Sequence, residues 1–208
     1  NFDILIQLTL ETIVEALGAK RGVVFGYEKD LKILGLKAIN GISEKDIPST
    51  FSLGEGTIGW VGKERKPLFI PLLDGRDDSE GDLFAPPLIC SPLVSRENLW
   101  GVILLSGKKN GGNYHEDELK ILSNLANQIA ISLENVKLNS DIERTYFETI
   151  SALALAVEAR DPYSRGHSER VAEYSVKMAE KLGLGQDDIK ILRDACKLHD
   201  VGKIGIAD

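Results

Sequence analysis

The sequence predicts an α+β fold: an antiparallel sheet flanked by helices, then a long helix, then an all-α segment. Three observations carry that prediction. Short apolar runs separated by polar or glycine-containing turns fill the first half, as expected for paired strands. Residues 116–160 contain neither Gly nor Pro and are dominated by helix formers. Beyond Pro162 the apolar residues recur at helical spacing.

Composition narrows the function. The chain has 208 residues, of which 43% are hydrophobic and 27% charged, enough to bury a sizeable core. A net charge of −7 argues against a broad basic face, and so against a nucleic acid polymer as partner. No apolar run approaches the roughly 18 residues of a membrane helix, and no signal peptide opens the chain. The first residue, Asn1, is not Met, so the chain reads as a segment of a longer protein. Cys90 and Cys196 lie far apart inside apolar runs, which predicts free thiols and a cytoplasmic location.

In chain order, Ile6, Leu10, Ile13, Val14 and Leu17 mark a first helix over residues 4–17 with Gly18 as its stop. Residues 22–27 and 31–36 read as two strands around a Glu28-Lys29-Asp30 turn. Residues 67–70, 88–94 and 99–105 read as three further strands, the last two joined antiparallel by the polar turn at 95–98. Residues 74–82 read as a polar surface loop, and Gly54-Glu55-Gly56 as a turn without the Lys-Ser or Lys-Thr pair of a phosphate loop.

These residues resemble a GAF domain, a small sensory fold. The resemblance rests on Leu17-Gly18-Ala19-Lys20-Arg21-Gly22, on the stretch Leu53 to Val61, and on Lys66-Pro67-Leu68. It continues through Cys90-Ser91-Pro92-Leu93, Gly101-Val102-Ile103 and Gln128 to Asn135. It implies a small-molecule ligand whose identity the sequence does not give. The Asn-Lys-Phe-Asp-Glu pattern of the cyclic-nucleotide members is absent, the corresponding region reading Ser106 to Gly112. Cys90, which could carry a bilin, reads as a core residue inside its strand. His115, which could ligate haem, reads as a helix start because three acids follow it.

The long helix carries a stripe in steps of three and four from Leu119 to Val157, with ten of twelve positions apolar, so a parallel homodimer seam is expected. Its first half also suits packing on the sheet. Ser140 and Glu143 interrupt the stripe, either as a weak point in the seam or as a stutter that moves it onto Leu138, Ile142 and Tyr146.

Asp161-Pro162 ends that helix, and Ser168 is expected to cap the next, which Gly183 stops. A third helix opens near Gln186 with Ile189, Leu192, Ala195, Cys196 and Leu198 on its inner side and His199-Asp200 at its end. That pair offers an imidazole nitrogen and a carboxylate, and His167 could add a third ligand from the neighbouring helix. Such a nitrogen and oxygen set suits iron, manganese or zinc.

Residues 156–171, containing Asp161-Pro162, Gly166-His167-Ser168 and Arg170, resemble the opening of the HD-GYP branch of HD phosphohydrolases. Leu198-His199-Asp200-Val201-Gly202-Lys203-Ile204-Gly205-Ile206 resembles its eponymous HD stretch. The resemblance implies a cyclic di-GMP phosphodiesterase with metal ligands His167, His199 and Asp200. It implies Asp200 as a bridging carboxylate, Lys203 on the phosphate, and two divalent ions per intact domain, iron or manganese before others. Ala207 replaces the usual Pro, and Tyr163 is not the acid that some members use for a third metal. The family's further histidines, last aspartate and Gly-Tyr-Pro loop do not occur before Asp208, so this piece by itself is expected to be inactive, with Leu192, Ala195 and Cys196 exposed.

The expected organisation is a sensor over residues 1–137, a helical coiled-coil linker over 138–160 and the first part of an HD-GYP domain over 161–208. Sensor state would regulate hydrolysis of a cyclic dinucleotide through the linker. The alternative is a non-catalytic dimerisation or ligand-binding module whose HD part is a scaffold.

Overall fold

The computed structural model describes residues 2–72, 84–160 and 166–202, with side chains from Ile4 and without those of 155–160. The chain forms two compact units, Asn1–Val136 and Lys137–Asp208. In the first, α1 (Phe2–Ala16) is followed by β1 (Ala19–Glu28), β2 (Ile33–Asn40), β3 (Thr50–Ser52) and α2 (Gly56–Glu64). Strands β4 (Leu68–Ile70), β5 (Leu88–Ser95) and β6 (Asn98–Lys108) complete it, and α3 (Glu116–Arg160) runs on into the second unit. There α4 (His167–Lys181) and α5 (Gln186–Leu198) follow.

The six strands form one antiparallel sheet in the order β3-β2-β1-β6-β5-β4. The expected hairpins are present, with Glu28 opposite Ile33 and Ser95 opposite Asn98. Alternation along each strand feeds two cores. Val24, Ile103 and Leu105 point to α1 and α3, where they meet Leu10, Ile13, Leu122 and Ala126. Val23, Phe25, Val102 and Leu104 point to the other face, against Ile58 and Val61 of α2. Each fully buried aliphatic side chain there contributes about 1.5–3 kcal/mol.

Two elements go beyond the sequence expectation. Strand β3 is only three residues long, and α2 begins where a turn alone was expected. The turn is real, since the Glu55 N–H donates to Ser52 O at 3.1 Å, but it launches a helix. Gly59 lets that helix lie against the turn: a Cβ there would sit 2.2 Å from Ser52 O.

The stripe on α3 divides. Leu122 and Ala126 are fully buried on the sheet, with Leu119 and Ile129 packed beside them, whereas Val136 is 54% exposed. In the second unit Phe147 and Ile150 are half-buried and Ala154 is buried, while Leu138, Ile142 and Tyr146 face outward. His115 precedes the first turn of α3, and its backbone N–H donates to Glu118 Oε2 at 2.9 Å, as a helix start should. The expected loop at 74–82 falls outside the described residues.

Candidate metal centre

Gly166 introduces α4 in a left-handed conformation, φ 71°, so His167 is the first helical residue. Ser168 is therefore not the cap. It lies one residue inside the helix and is buried, because the left-handed glycine already turns the chain into its first turn. At the other end Gly183, φ +77°, closes α4. Its N–H donates to Glu180 O at 3.1 Å, and that of Leu184 to Ala179 O at 3.1 Å, a Schellman closure. So short a connection makes α4 and α5 neighbours running in opposite directions.

Val176 and Ala179 pack against Ile189 and Leu192 to hold the pair together. Ile189 and Cys196 are buried and Leu192 is half-buried. The expectation that Leu192 and Cys196 are exposed is thus corrected: Leu192 packs against Val176 and Ala179 of α4, and Cys196 is buried. Ala195 is exposed, as expected, and so does not sit on the inner side of α5. Tyr174, Met178 and Leu182 of the α4 helix and its closing turn face outward, at 60%, 59% and 79% exposure.

Two helices of 15 and 13 residues are nearly equal in length, so the start of α4 meets the end of α5. That brings together His167 and His199, whose ring centroids are 5.3 Å apart. Asp200 follows directly, with Oδ2 3.6 Å from His199 Nε2. Ligand atoms of His167, His199 and Asp200 all lie within 4.8 Å of one another. An ion held at about 2.1 Å keeps its donors within about 4.2 Å of each other, so small side-chain rotations would close the set. The donor chemistry, two imidazoles and a carboxylate, fits a divalent transition metal.

One contact absent from the sequence expectation orients the site. His199 Nδ1 lies 2.7 Å from Cys196 O, so Nδ1–H donates to the last turn of α5 and the Nε2 lone pair is left for a metal. The three-residue offset at a helix end is the signal that could have found it. The dipoles of the two helices oppose each other here, so the Asp200 carboxylate is what makes the place favourable to a cation. Lys203 lies outside the described residues.

In the first unit Cys90 is fully buried in β5, and burial pushes its thiol pKa far upward, so the residue is core. No helix among the described residues is long and apolar enough to cross a membrane.

Comparison with known proteins defines the class. Residues 1–133, well over half the chain, match the GAF domain family model, and the chain belongs to that family. Residues 165–208 match the HD domain model, so the GAF domain is followed by an HD domain. Among curated relatives, the 3′3′-cGAMP-specific phosphodiesterase 2 of Vibrio cholerae is 37% identical over 93 residues, 45% of this chain and 18% of the relative. The cyclic di-GMP phosphodiesterase response regulator RpfG of Xanthomonas campestris is 39% identical over 93 residues, 44% of this chain and 25% of the relative. The matched stretch thus spans a quarter or less of these relatives' length.

Solved structures agree on the fold. The GAF domain of a phosphoenolpyruvate-protein phosphotransferase from Coxiella burnetii matches with TM-score 0.55 and 20% identity, over 68% of this chain and 87% of that one. A GAF domain/HD domain protein from Geobacter sulfurreducens matches with TM-score 0.52 and 14% identity, over 66% of this chain and 95% of that one.

Proposed function

We propose that this chain is the sensor, linker and metal-ligating start of a cytoplasmic, homodimeric HD-GYP phosphodiesterase that hydrolyses cyclic di-GMP under sensor control. The observation that carries the reading is the convergence of His167, His199 and Asp200 at the shared end of α4 and α5, inside the segment matching the HD model. The names of the relatives supply the substrate class, cyclic dinucleotides. Two of them being 3′3′-cGAMP-specific makes that dinucleotide the second candidate.

In this reading the sensor ends near residue 137, the helical linker covers 138–160 and the HD-GYP part starts at 161. His167, His199 and Asp200 would hold divalent metal, iron or manganese, with two ions per intact domain. Bound metal supplies Lewis acidity toward a phosphoryl oxygen and acidifies water. The chain's own part is preorganisation. The Cys196 carbonyl fixes the His199 tautomer, the α4–α5 packing sets the distance between the imidazoles, and Lys203 meets the phosphate charge. A sensor ligand of unassigned chemistry biases the packing of α3 and so the assembly of the site.

The test is turnover of cyclic di-GMP and 3′3′-cGAMP by the full-length protein, purified anaerobically, with metal content measured alongside. Hydrolysis that follows metal loading and vanishes in Asp200→Asn supports the reading. A fully loaded protein that hydrolyses neither dinucleotide rejects it, and a protein that takes up no metal leaves the scaffold alternative.

A further inference from the structure

The tight turn between β5 and β6 is tied to a helix on each face of the sheet. On one face Arg65 closes α2: its backbone N–H donates to Val61 O at 2.9 Å, and its Nη1 donates to Glu97 O at 2.6 Å. On the other face Ser95 Oγ donates to Glu134 Oε2 of α3 at 2.7 Å, and Arg96 Nε lies 3.8 Å from the same oxygen. Helix α2 packs on the core that holds Phe25 and Val102, and α3 on the core that holds Ile103 and Leu105. Residues 95–97 thus join two helices that the sheet keeps apart.

The place of the contact on α3 gives it weight. Glu134 and Ser95 are both buried. From Asn135 to Leu153 no residue of α3 is buried, so the first unit's hold on the helix ends at Glu134. A carboxylate taken out of water is costly to leave without its donor, whereas the exposed Arg96 pair adds little. A shift of the turn therefore moves α3 at this point or strands the Glu134 carboxylate.

Backbone strain points the same way. Arg65 and Arg96 have φ 55° and 54°, and among the described non-glycine residues only Lys32 shares a positive φ. Glycine is the usual residue just past a helix and in a tight hairpin, because a Cβ strains this conformation. Arginine at both positions accepts that strain. In each case the guanidinium reaches out of its own element, one to the turn and the other to α3.

We infer that the β5–β6 turn is a conformational latch that passes a displacement of α2 to the last turn of α3 held by the first unit. Its two arms are Arg65–Glu97 on one face and Ser95–Glu134 on the other. Closed, the latch holds both helices to one turn. When α2 lifts, the Glu97 carbonyl is released, the strained turn relaxes and Ser95 leaves Glu134, which frees that turn of α3. The device lies wholly within the first unit, ahead of the boundary at Val136, and does not rest on the phosphodiesterase reading.

Amide hydrogen exchange of the full-length protein, read by mass spectrometry in segments, tests it, with far-UV circular dichroism as the check on folding. Ser95→Ala should speed exchange over residues 131–136 by about five- to tenfold, the effect of losing one hydrogen bond to a charged group. Arg65→Ala, on the opposite face, should speed the same segment by a similar factor. Both should leave residues 119–126 of the same helix protected. In the double variant the two factors should not multiply, because each opens one latch. Arg65→Ala that changes exchange in α2 and the turn alone overturns the inference, as do factors that multiply. Equal loss of protection over 119–126 also overturns it, by showing a loosening of the whole unit. None of these readouts depends on metal or hydrolysis, so the two readings fail separately.

Discussion

Gly59 offers the sharpest test of how α2 is held on the sheet. In Gly59→Ala the new Cβ would lie 2.2 Å from Ser52 O and 3.0 Å from Gly54 N, where ordinary contact starts at 3.4 Å. Both neighbours are backbone, tied in place because Gly54 N–H donates to Gly59 O at 2.7 Å. No rotamer relieves the clash, so α2 or the turn must move by about 1 Å. Ile58 and Val61 flank Gly59 and are fully buried, each contributing about 1.5–3 kcal/mol. A gap of that size forfeits a quarter to a half of the packing it opens, giving a cost of about 1–3 kcal/mol. For a unit of this size the melting temperature should fall by roughly 5–15 °C.

The natural comparison is Gly56→Ala. Gly56 has φ +57° and nothing within 4 Å, so alanine there would bring backbone strain without a clash, about 1 kcal/mol. Urea unfolding followed by tryptophan fluorescence reports on both, because Trp60 lies on the same helix. A Gly59→Ala variant no less stable than Gly56→Ala would show that close approach is not what requires glycine there.

Three further outcomes are expected. Replacing His199 by Ala, or Asp200 by Asn, in the full-length protein should weaken manganese binding by at least about 100-fold, since even an outer hydrogen-bond partner is worth 10–100-fold; titration calorimetry measures it. The Cys90 thiol should resist alkylation until the fold opens. Its raised pKa also means that above the ordinary thiol value, about 8.5, only the unfolded state loses the proton, so stability falls as pH rises; Cys90→Ala should flatten that alkaline limb in denaturant titrations. Glu134 is buried and accepts from Ser95 Oγ at 2.7 Å, so Glu134→Ala should cost about 1–3 kcal/mol in thermal unfolding by stranding that hydroxyl.

The strands were legible because alternation and short polar turns leave little choice of pairing: Val102 to Leu105 alternate between two cores, and the turn at Arg96-Glu97 admits only an antiparallel partner. Helix α2 was not, because Gly56, Gly59 and Gly62 depress helix propensity and imitate turn signals. Gly59 answers to distance from the neighbouring backbone, which no local pattern records. The His199-Asp200 pair was legible as a motif. Its approach to His167 follows from the short α4–α5 connection, whereas the Cys196 carbonyl became visible only with the helix end in place. Ser168 misled because cap preferences describe side chains, and here a left-handed Gly166 does that work. On α3 a single period hid two faces, since one helix serves the sheet, a helical unit and a solvent side at once.

Helix α3 is shared, its early turns buried under the sheet and its later turns part of the second unit. A connection of this kind makes exchange between modules a matter of angle more than of length. Gaining or losing one residue turns everything downstream by about 100°, whereas seven residues restore the heading to within about 20°. Fusions of this GAF domain to other output domains should therefore succeed or fail with a seven-residue rhythm, indifferent to what the grafted domain does.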